Sequence, residues 1–408
     1  MEKKYINRPI YTERIRPFIG KQLIKVLTGQ RRTGKSYILL QIIDVIRDLN
    51  PEAHIIYIDK ELVAFSTLTD SESLYSYVMT HLSDGKENYL FIDEVQEIKE
   101  FQIAIRSLLN ENRCDIYCTG SNAKILSGEL STHLSGRYIE IHIHSLSYRE
   151  FLDFNQLMPS EQSLNQYLTF GGMPYIHHLS LNDKEVVYEY LRNVYSSILL
   201  KDVVARESIR NVAFLESLVS YLIDNTGSLF SSQNISKFLK SQHINIPTQT
   251  ILNYLRALCN SFFIYKVQRA EVNGLKIFEI GEKYYFEDLG IRNAIRPSAY
   301  RMDIGKWMEN VIYIDLLRHG YKVYVGKNET KEIDFIAEKG STKLFIQVAY
   351  LLYDENTVQR EFGGLMEIAN HYPKYVITMD RMSNGENYQG IKQLYLGDFL
   401  LAEDKERL

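Results

Sequence analysis

No stretch of the 408-residue chain approaches the roughly 18 uninterrupted apolar residues that a membrane-crossing helix needs. The N-terminus, Met1-Glu2-Lys3-Lys4-Tyr5-Ile6-Asn7-Arg8, lacks the apolar core of a secretory signal. Cysteine is scarce: Cys114, Cys118 and Cys259 stand without a second Cys/His pair at zinc spacing. That excludes a disulfide framework and points to buried thiols in a reducing compartment. Repeats and low-complexity tracts are absent, so the chain reads as packed domains. The net charge is only −4. Such a balance argues neither for nor against a nucleic-acid partner, and local charge distribution must decide. A cytoplasmic protein without a membrane partner is expected.

What is present is ordinary for a globular protein, with 45% hydrophobic and 24% charged residues. The length suggests about two to three domains. The most informative stretch is Gly29-Gln30-Arg31-Arg32-Thr33-Gly34-Lys35-Ser36, which fits G-x-x-x-x-G-K-[ST]. A β-rich apolar run (residues 23–28) precedes it, and a helical apolar pattern from Tyr37 follows. That strand–loop–helix context is what gives the motif meaning. The glycines let successive N–H groups and a helix N-terminus face a phosphate chain. Lys35 is placed to reach the β- and γ-phosphates of ATP, and Ser36 to hold Mg²⁺.

Tyr89-Leu90-Phe91-Ile92-Asp93-Glu94 reads as a buried parallel strand with two acids at its carboxyl end. Ligands of open α/β sheets collect at that edge. Asp93 suits the Mg²⁺ shell and Glu94 the polarisation of an attacking water, which tilts the reading from binding towards hydrolysis.

Five strands alternate with helices over about residues 20–150, predicting a parallel sheet covered on both faces. The fifth, Arg137-Tyr138-Ile139-Glu140-Ile141-His142-Ile143-His144, alternates as an edge strand should, with His142 and His144 facing solvent. Residues 145–225 become helical, interrupted by a turn at Gly171-Gly172-Met173-Pro174. Pro297-Ser298 marks a second boundary, and a helix over 307–317 opens a further α/β unit. The expected division is 1–150, 151–299 and 300–408.

Taken with Asp93-Glu94-Val95-Gln96, Thr119-Gly120-Ser121-Asn122, Ser135-Gly136-Arg137 and Gly171-Gly172-Met173-Pro174, the phosphate loop resembles that of a prokaryotic family of AAA-superfamily P-loop ATPases with a C-terminal restriction-endonuclease-like part. The resemblance covers nearly the whole chain. It implies an AAA-like core, with Asn122 as the polar sensor between Asp93 and the γ-phosphate and Arg137 as an arginine finger or an equivalent γ-phosphate contact. Read from position alone, Asn122 follows a strand ending near Thr119 and suits either a water-orienting amide or a helix N-cap. Arg137 opens its strand at the edge opposite the ATP site. Unless the loop folds over to its own subunit's phosphate, it would act across a subunit interface of a homo-oligomer, or simply form a surface ion pair.

Residues 228–270 carry five basic side chains (Lys237, Lys240, Arg256, Lys266, Arg269) and no Asp or Glu. The pattern over about 228–290 reads as a winged helix-turn-helix: helices over 233–240 and 249–260, then a hairpin. Thr248, Gln249, Thr250 and Asn253 would enter the major groove of double-stranded DNA, with Lys and Arg on phosphates. A protein-binding module of the same fold is the alternative. Further on, an endonuclease-like core would need a helix Glu, an Asp and an acid-x-Lys pair. Glu309 and Asp334 supply the first two, but Gln347 and Ala349 stand at the last two, so the metal site looks broken.

The combined expectation is an α/β protein with a P-loop AAA-like core, a helical and winged-helix middle and an inactive endonuclease-like C-terminal domain. It would use ATP and Mg²⁺ for hydrolysis coupled to a DNA or protein partner. A slow ATP-gated regulatory or defence switch binding protein through the winged helix, and a DNA nuclease, are the rival readings.

Overall fold

The computed structural model describes residues 5–123, 136–230, 235–237, 246–272, 277–297, 304–328, 331–352 and 354–408. The chain divides into two compact units, residues 1–143 with 260–262, and residues 144–259 with 263–408. Among the described residues no helix is long and apolar enough to cross a membrane.

The first unit is an α/β sandwich on a five-stranded sheet. Its strands are β1 (Ile24–Thr28), β2 (His54–Asp59), β3 (Asn88–Asp93), β4 (Asp115–Gly120) and β5 (Tyr138–His142), in the order β2-β3-β4-β1-β5. All neighbours pair in parallel. Alternate residues leave each strand on opposite faces. Leu90 and Ile92 of β3 join Val26, Ile58 and Ile116 beneath the helices Ser71–His81 and Phe101–Asn110. Tyr89 and Phe91 join Leu27 and Tyr117 against Ile38, Leu39, Ile42 and Ile46 of the helix Lys35–Leu49. Burial on both faces explains why these strands read as continuous apolar runs. β4 lies between β1 and β3, so the phosphate-loop strand and the Asp93 strand are not neighbours.

The edge position expected for the fifth strand is found, but the strand ends at His142. His144 departs from the solvent-facing expectation. It is buried in the second unit, with Nδ1 3.0 Å from Glu287 Oε2, a carboxylate supplied from far along the chain.

The second unit begins with helices Tyr148–Asn155, Glu161–Phe170, Lys184–Ser197 and Val212–Asp224. Gly171-Gly172 is a docking point as well as a turn. Gly171 has φ +71°, the Gly172 N–H donates to Asp288 Oδ2 at 2.7 Å, and a Cβ on either glycine would overlap Asp288 or the Leu146 carbonyl. Asp288 caps the helix Leu289–Ile295.

An eight-stranded mixed sheet completes the unit. It contains β6 (Ile264–Glu271), β7 (Ile277–Phe286), β8 (Lys322–Asn328), β9 (Lys331–Lys339), β10 (Thr342–Val348), β11 (Lys374–Thr378), β12 (Asn387–Tyr388) and β13 (Ile391–Tyr395). Their order is β12-β13-β11-β10-β9-β8-β6-β7. Here the structure differs from a break near residue 300. The hairpin β6–β7, expected as a wing, continues the C-terminal sheet through parallel pairing of β6 with β8, for example Ala270 with Gly326. A long-range strand pairing of this kind leaves no local sequence signal. The first helix of the expected helix-turn-helix falls mostly outside the described residues, as does Lys240. The second is present as Thr248–Asn260.

Candidate nucleotide site

The phosphate loop joins β1 to the helix Lys35–Leu49. Gly29 has φ +144° and a Cβ there would overlap the Ile143 carbonyl oxygen, so only glycine fits. Gly34, at φ +96°, takes the left-handed turn into the helix. Arg32 adopts φ +72°, an uncommon conformation for a residue with a Cβ. The Lys35 ammonium lies back over the loop, 3.0 Å from the carbonyl oxygens of both Gly29 and Gln30. Thr33 Oγ1 donates to the Gln30 carbonyl at 2.9 Å. Gln30 itself is fully buried. Arg31 reaches Glu61 at 3.4 Å, on the turn after β2.

The second strand end meets the loop. Thr119 Oγ1 donates to Asp93 Oδ1, and the Ser36 hydroxyl favours the ionised Asp93 carboxyl. The same Thr119 oxygen accepts the Glu94 N–H at 2.9 Å. Burial pushes the Asp93 carboxyl above its usual range, and the hydroxyls of Ser36 and Thr119 pull against that rise. Glu94 sits in a left-handed conformation at φ +54°, which turns the chain out of β3. Its Oε2 accepts from Gln96 Nε2 and, at 3.2 Å, from Ser121 Oγ. Burial, and then the negative charge of Asp93, raises the phenol of Tyr57 on β2.

The predicted residues therefore divide. The phosphate loop, Asp93 and Glu94 converge on one sheet edge. Asn122 is buried just beyond the end of β4 on that edge. Arg137 is not there. Its carbonyl accepts the N–H of Ile24, the first residue of β1, and its guanidinium donates to Asn110 Oδ1, so it marks the opposite edge.

Sequence reasoning missed several contributors. Thr119 and Ser121 contact the acids, and both lie in the Thr-Gly-Ser-Asn run already singled out. Tyr57 carries no motif. Arg8 is buried and donates from Nη1 to the Thr33 carbonyl at 2.9 Å, while its N–H donates to Gln41 Oε1. The N-terminal segment thus braces the loop from behind.

The C-terminal residues also converge. Glu309 and Asp334 flank one lysine, Lys283, and Gln347 Oε1 accepts the Asp334 N–H at 3.4 Å. In the basic segment, Lys266 pairs with Glu282 at 3.2 Å and Arg269 lies 4.0 Å from Glu332. Acids distant in sequence thus partner two of its five positive charges.

A parallel sheet with a phosphate loop after one strand, and paired acids ending another, defines an AAA-type P-loop ATPase domain. Residues 21–152 match a family model described as "AAA domain", and residues 161–300 one described as "Domain of unknown function (DUF8612)". The chain belongs to the same family as an uncharacterized protein of Haemophilus influenzae, 34% identical over 98% of this chain and 100% of that one. An uncharacterized Methanocaldococcus jannaschii protein, MJ1544, is 28% identical over 86% of this chain and 79% of its own. Among solved structures, the Walker-type ATPase PABY2304 of Pyrococcus abyssi has a similar fold. The TM-score is 0.53 at 14% identity, covering 72% of this chain and 97% of that one.

Proposed function

We propose that the protein hydrolyses ATP with Mg²⁺ and couples turnover to a DNA or protein partner. The observation that carries this reading is the holding of Asp93 and Glu94 by one Thr119 hydroxyl at the sheet edge where the phosphate loop lies. The donor set suits Mg²⁺: a hydroxyl and a buried carboxylate, both hard oxygens, with burial disfavouring the bare anion. Ser36 and Asp93 would hold the ion, which neutralises phosphate charge when bound. Lys35 exchanges its carbonyl partners for the β- and γ-phosphates, while loop N–H groups from Gly29 to Ser36 cradle the chain. Glu94 orients and polarises the attacking water, and Asn122 supplies a further polar contact. Arg137, on the opposite edge, acts from a neighbouring subunit.

Support for DNA comes from the helix Thr248–Asn260. Its Ile251, Leu255 and Leu258 are buried, while Gln249, Asn253 and Arg256 form an exposed stripe. Gln249 and Asn253 are hydrogen-bonded to each other at 3.1 Å, a pre-ordered pair of amides suited to a groove. The endonuclease-like reading of residues 300–408 draws on their order: helix Ile304–Arg318, antiparallel β8–β9–β10, helix Glu355–Met366, then β11 parallel to β10. Cleavage chemistry is not part of the proposal.

The slow-switch alternative has its own support. Glu94 Oε2 already accepts from both Gln96 and Ser121, partners that compete with a water for that oxygen. Phosphate release with Mg²⁺ or with EDTA, each with and without duplex DNA, tests the main reading. Mg²⁺-dependent turnover stimulated by DNA is expected. Tight ATP retention without turnover under every condition leaves the switch.

A further inference from the structure

A buried lysine stands among three carboxylates in the eight-stranded sheet. Lys283 Nζ, on β7, is 2.9 Å from Glu332 Oε1, 3.3 Å from Glu309 Oε2 and 3.4 Å from Asp334 Oδ1, and its side chain is 2% exposed. The acids come from the helix Ile304–Arg318 and from β9. Their oxygens are further engaged: Tyr285 Oη donates to Glu309 Oε2 at 2.8 Å, and the Val348 N–H to Asp334 Oδ2 at 2.9 Å. Gln347 Nε2 donates to Glu361 Oε2 at 3.0 Å, tying in a fourth acid. A Cβ on Gly227 would come within 2.8 Å of Glu309 Oε2, so a glycine lets the chain close over the cluster.

A divalent cation at such a cluster would draw carboxylate oxygens to about 2.0–2.6 Å from one centre. The ammonium already sits where the oxygens converge, and the two cations cannot share that point. Burial alone would make Lys283 easier to deprotonate, but Glu309, Asp334 and Glu332 more than reverse this and hold it charged. Burial, followed by repulsion from Asp334, pushes Glu309 to about 7 even with that counter-charge in place.

We propose that Lys283 is the cluster's own cation. Its ammonium occupies the point on which Glu309, Glu332 and Asp334 converge, closes the site to divalent metals, and ties β7 to β9 and the preceding helix. Gln347 serves the same end as a neutral bridge between Asp334 and Glu361. The residue that excludes metal chemistry is therefore a lysine distant in sequence, in addition to the missing acid and lysine at Gln347 and Ala349. Removing one partner of such a buried pair leaves uncompensated charge. Lys283→Met should therefore open a cation site where none operated.

The test is Mn²⁺ titration of the nucleotide-free full chain, following free Mn²⁺ by electron paramagnetic resonance. Wild type and Asp334→Asn should retain the same Mn²⁺, because the cluster holds none. Lys283→Met should gain a site at least about ten-fold tighter than any in wild type, lost again in Lys283→Met/Asp334→Asn. Wild-type Mn²⁺ binding that disappears in Asp334→Asn would overturn the proposal, as would a folded Lys283→Met without the new site. Should Lys283→Met not fold, the same gain of a site is read in Lys283→Gln, and its absence in a folded Lys283→Gln overturns the proposal. Plasmid nicking by wild type with Mn²⁺ that vanishes on Asp334→Ala would equally sink it.

Discussion

The hydroxyl of Thr119 donates to the carboxylate of Asp93, from a strand that lies between β3 and the phosphate-loop strand. Because the same oxygen accepts the Glu94 N–H, one side chain sets the positions of both acids. Thr119→Val should leave a buried carboxylate and a buried N–H each short of a partner. About 1–3 kcal/mol of stability should be lost, read as a lower midpoint in denaturant. ATP turnover should fall while nucleotide affinity, set by the loop, is kept. Unchanged turnover would mean the acids hold their places without Thr119.

The proposed mechanism gives Lys35 and Glu94 separable tasks. Lys35→Ala should abolish ATP binding in a fluorescent-nucleotide assay. Glu94→Gln should bind ATP normally and turn over about 10²–10⁴-fold more slowly, the usual contribution of one positioned acid–base group. Wild-type-like hydrolysis by Glu94→Gln would remove that residue from the mechanism.

Arg137 donates to Asn110 on the far edge of its own sheet, and the proposed mechanism has it contact the ATP of a neighbour. Specific ATPase activity should rise with protein concentration. Arg137→Ala should bind ATP yet turn over slowly. A rate strictly proportional to enzyme, from a monomer in light scattering, would rule out the trans role.

If the segment 228–270 binds DNA through phosphates, affinity should fall steeply with salt. Replacing Lys237 and Lys240 together should flatten the slope of log K against log salt by roughly two units. Lys266→Ala should change it less, since Glu282 already neutralises that charge. No DNA retention at low salt would leave the protein-binding reading.

Asp288 offers a pH test of the Gly171-Gly172 docking point. Burial pushes its carboxyl up to about 6, above the ordinary Asp value. A raised acid pKa means the folded state binds the proton more tightly. The associated stability is full below the unfolded value and is lost as pH rises through about 6. Asp288→Asn, which cannot titrate, should flatten the fall in thermal midpoint between about pH 4 and 6. An identical pH profile in the variant would show that Asp288 does not titrate in that window.

The nucleotide site was legible in the sequence because its parts are local. A phosphate loop needs glycines at fixed offsets, as Gly29 and Gly34 show, and a buried strand ending in two acids is a contiguous run. The five-stranded parallel sheet followed from the same logic, since the inner strands are apolar on both faces and the edge strand β5 alternates. Other features depended on long-range pairing, which no local pattern encodes. The insertion of β4 beside β1 brought Thr119 and Ser121 to Asp93 and Glu94. Pairing of β6 with β8 drew the hairpin into the C-terminal sheet, and β7 with it. That pairing carried Lys283 to Glu309, Glu332 and Asp334, residues between 26 and 51 positions away in the chain. A lone lysine on a strand has no sequence signature of partnership. Charge desolvated by folding must find its counter-charge in three dimensions, and only the tertiary structure decided which one.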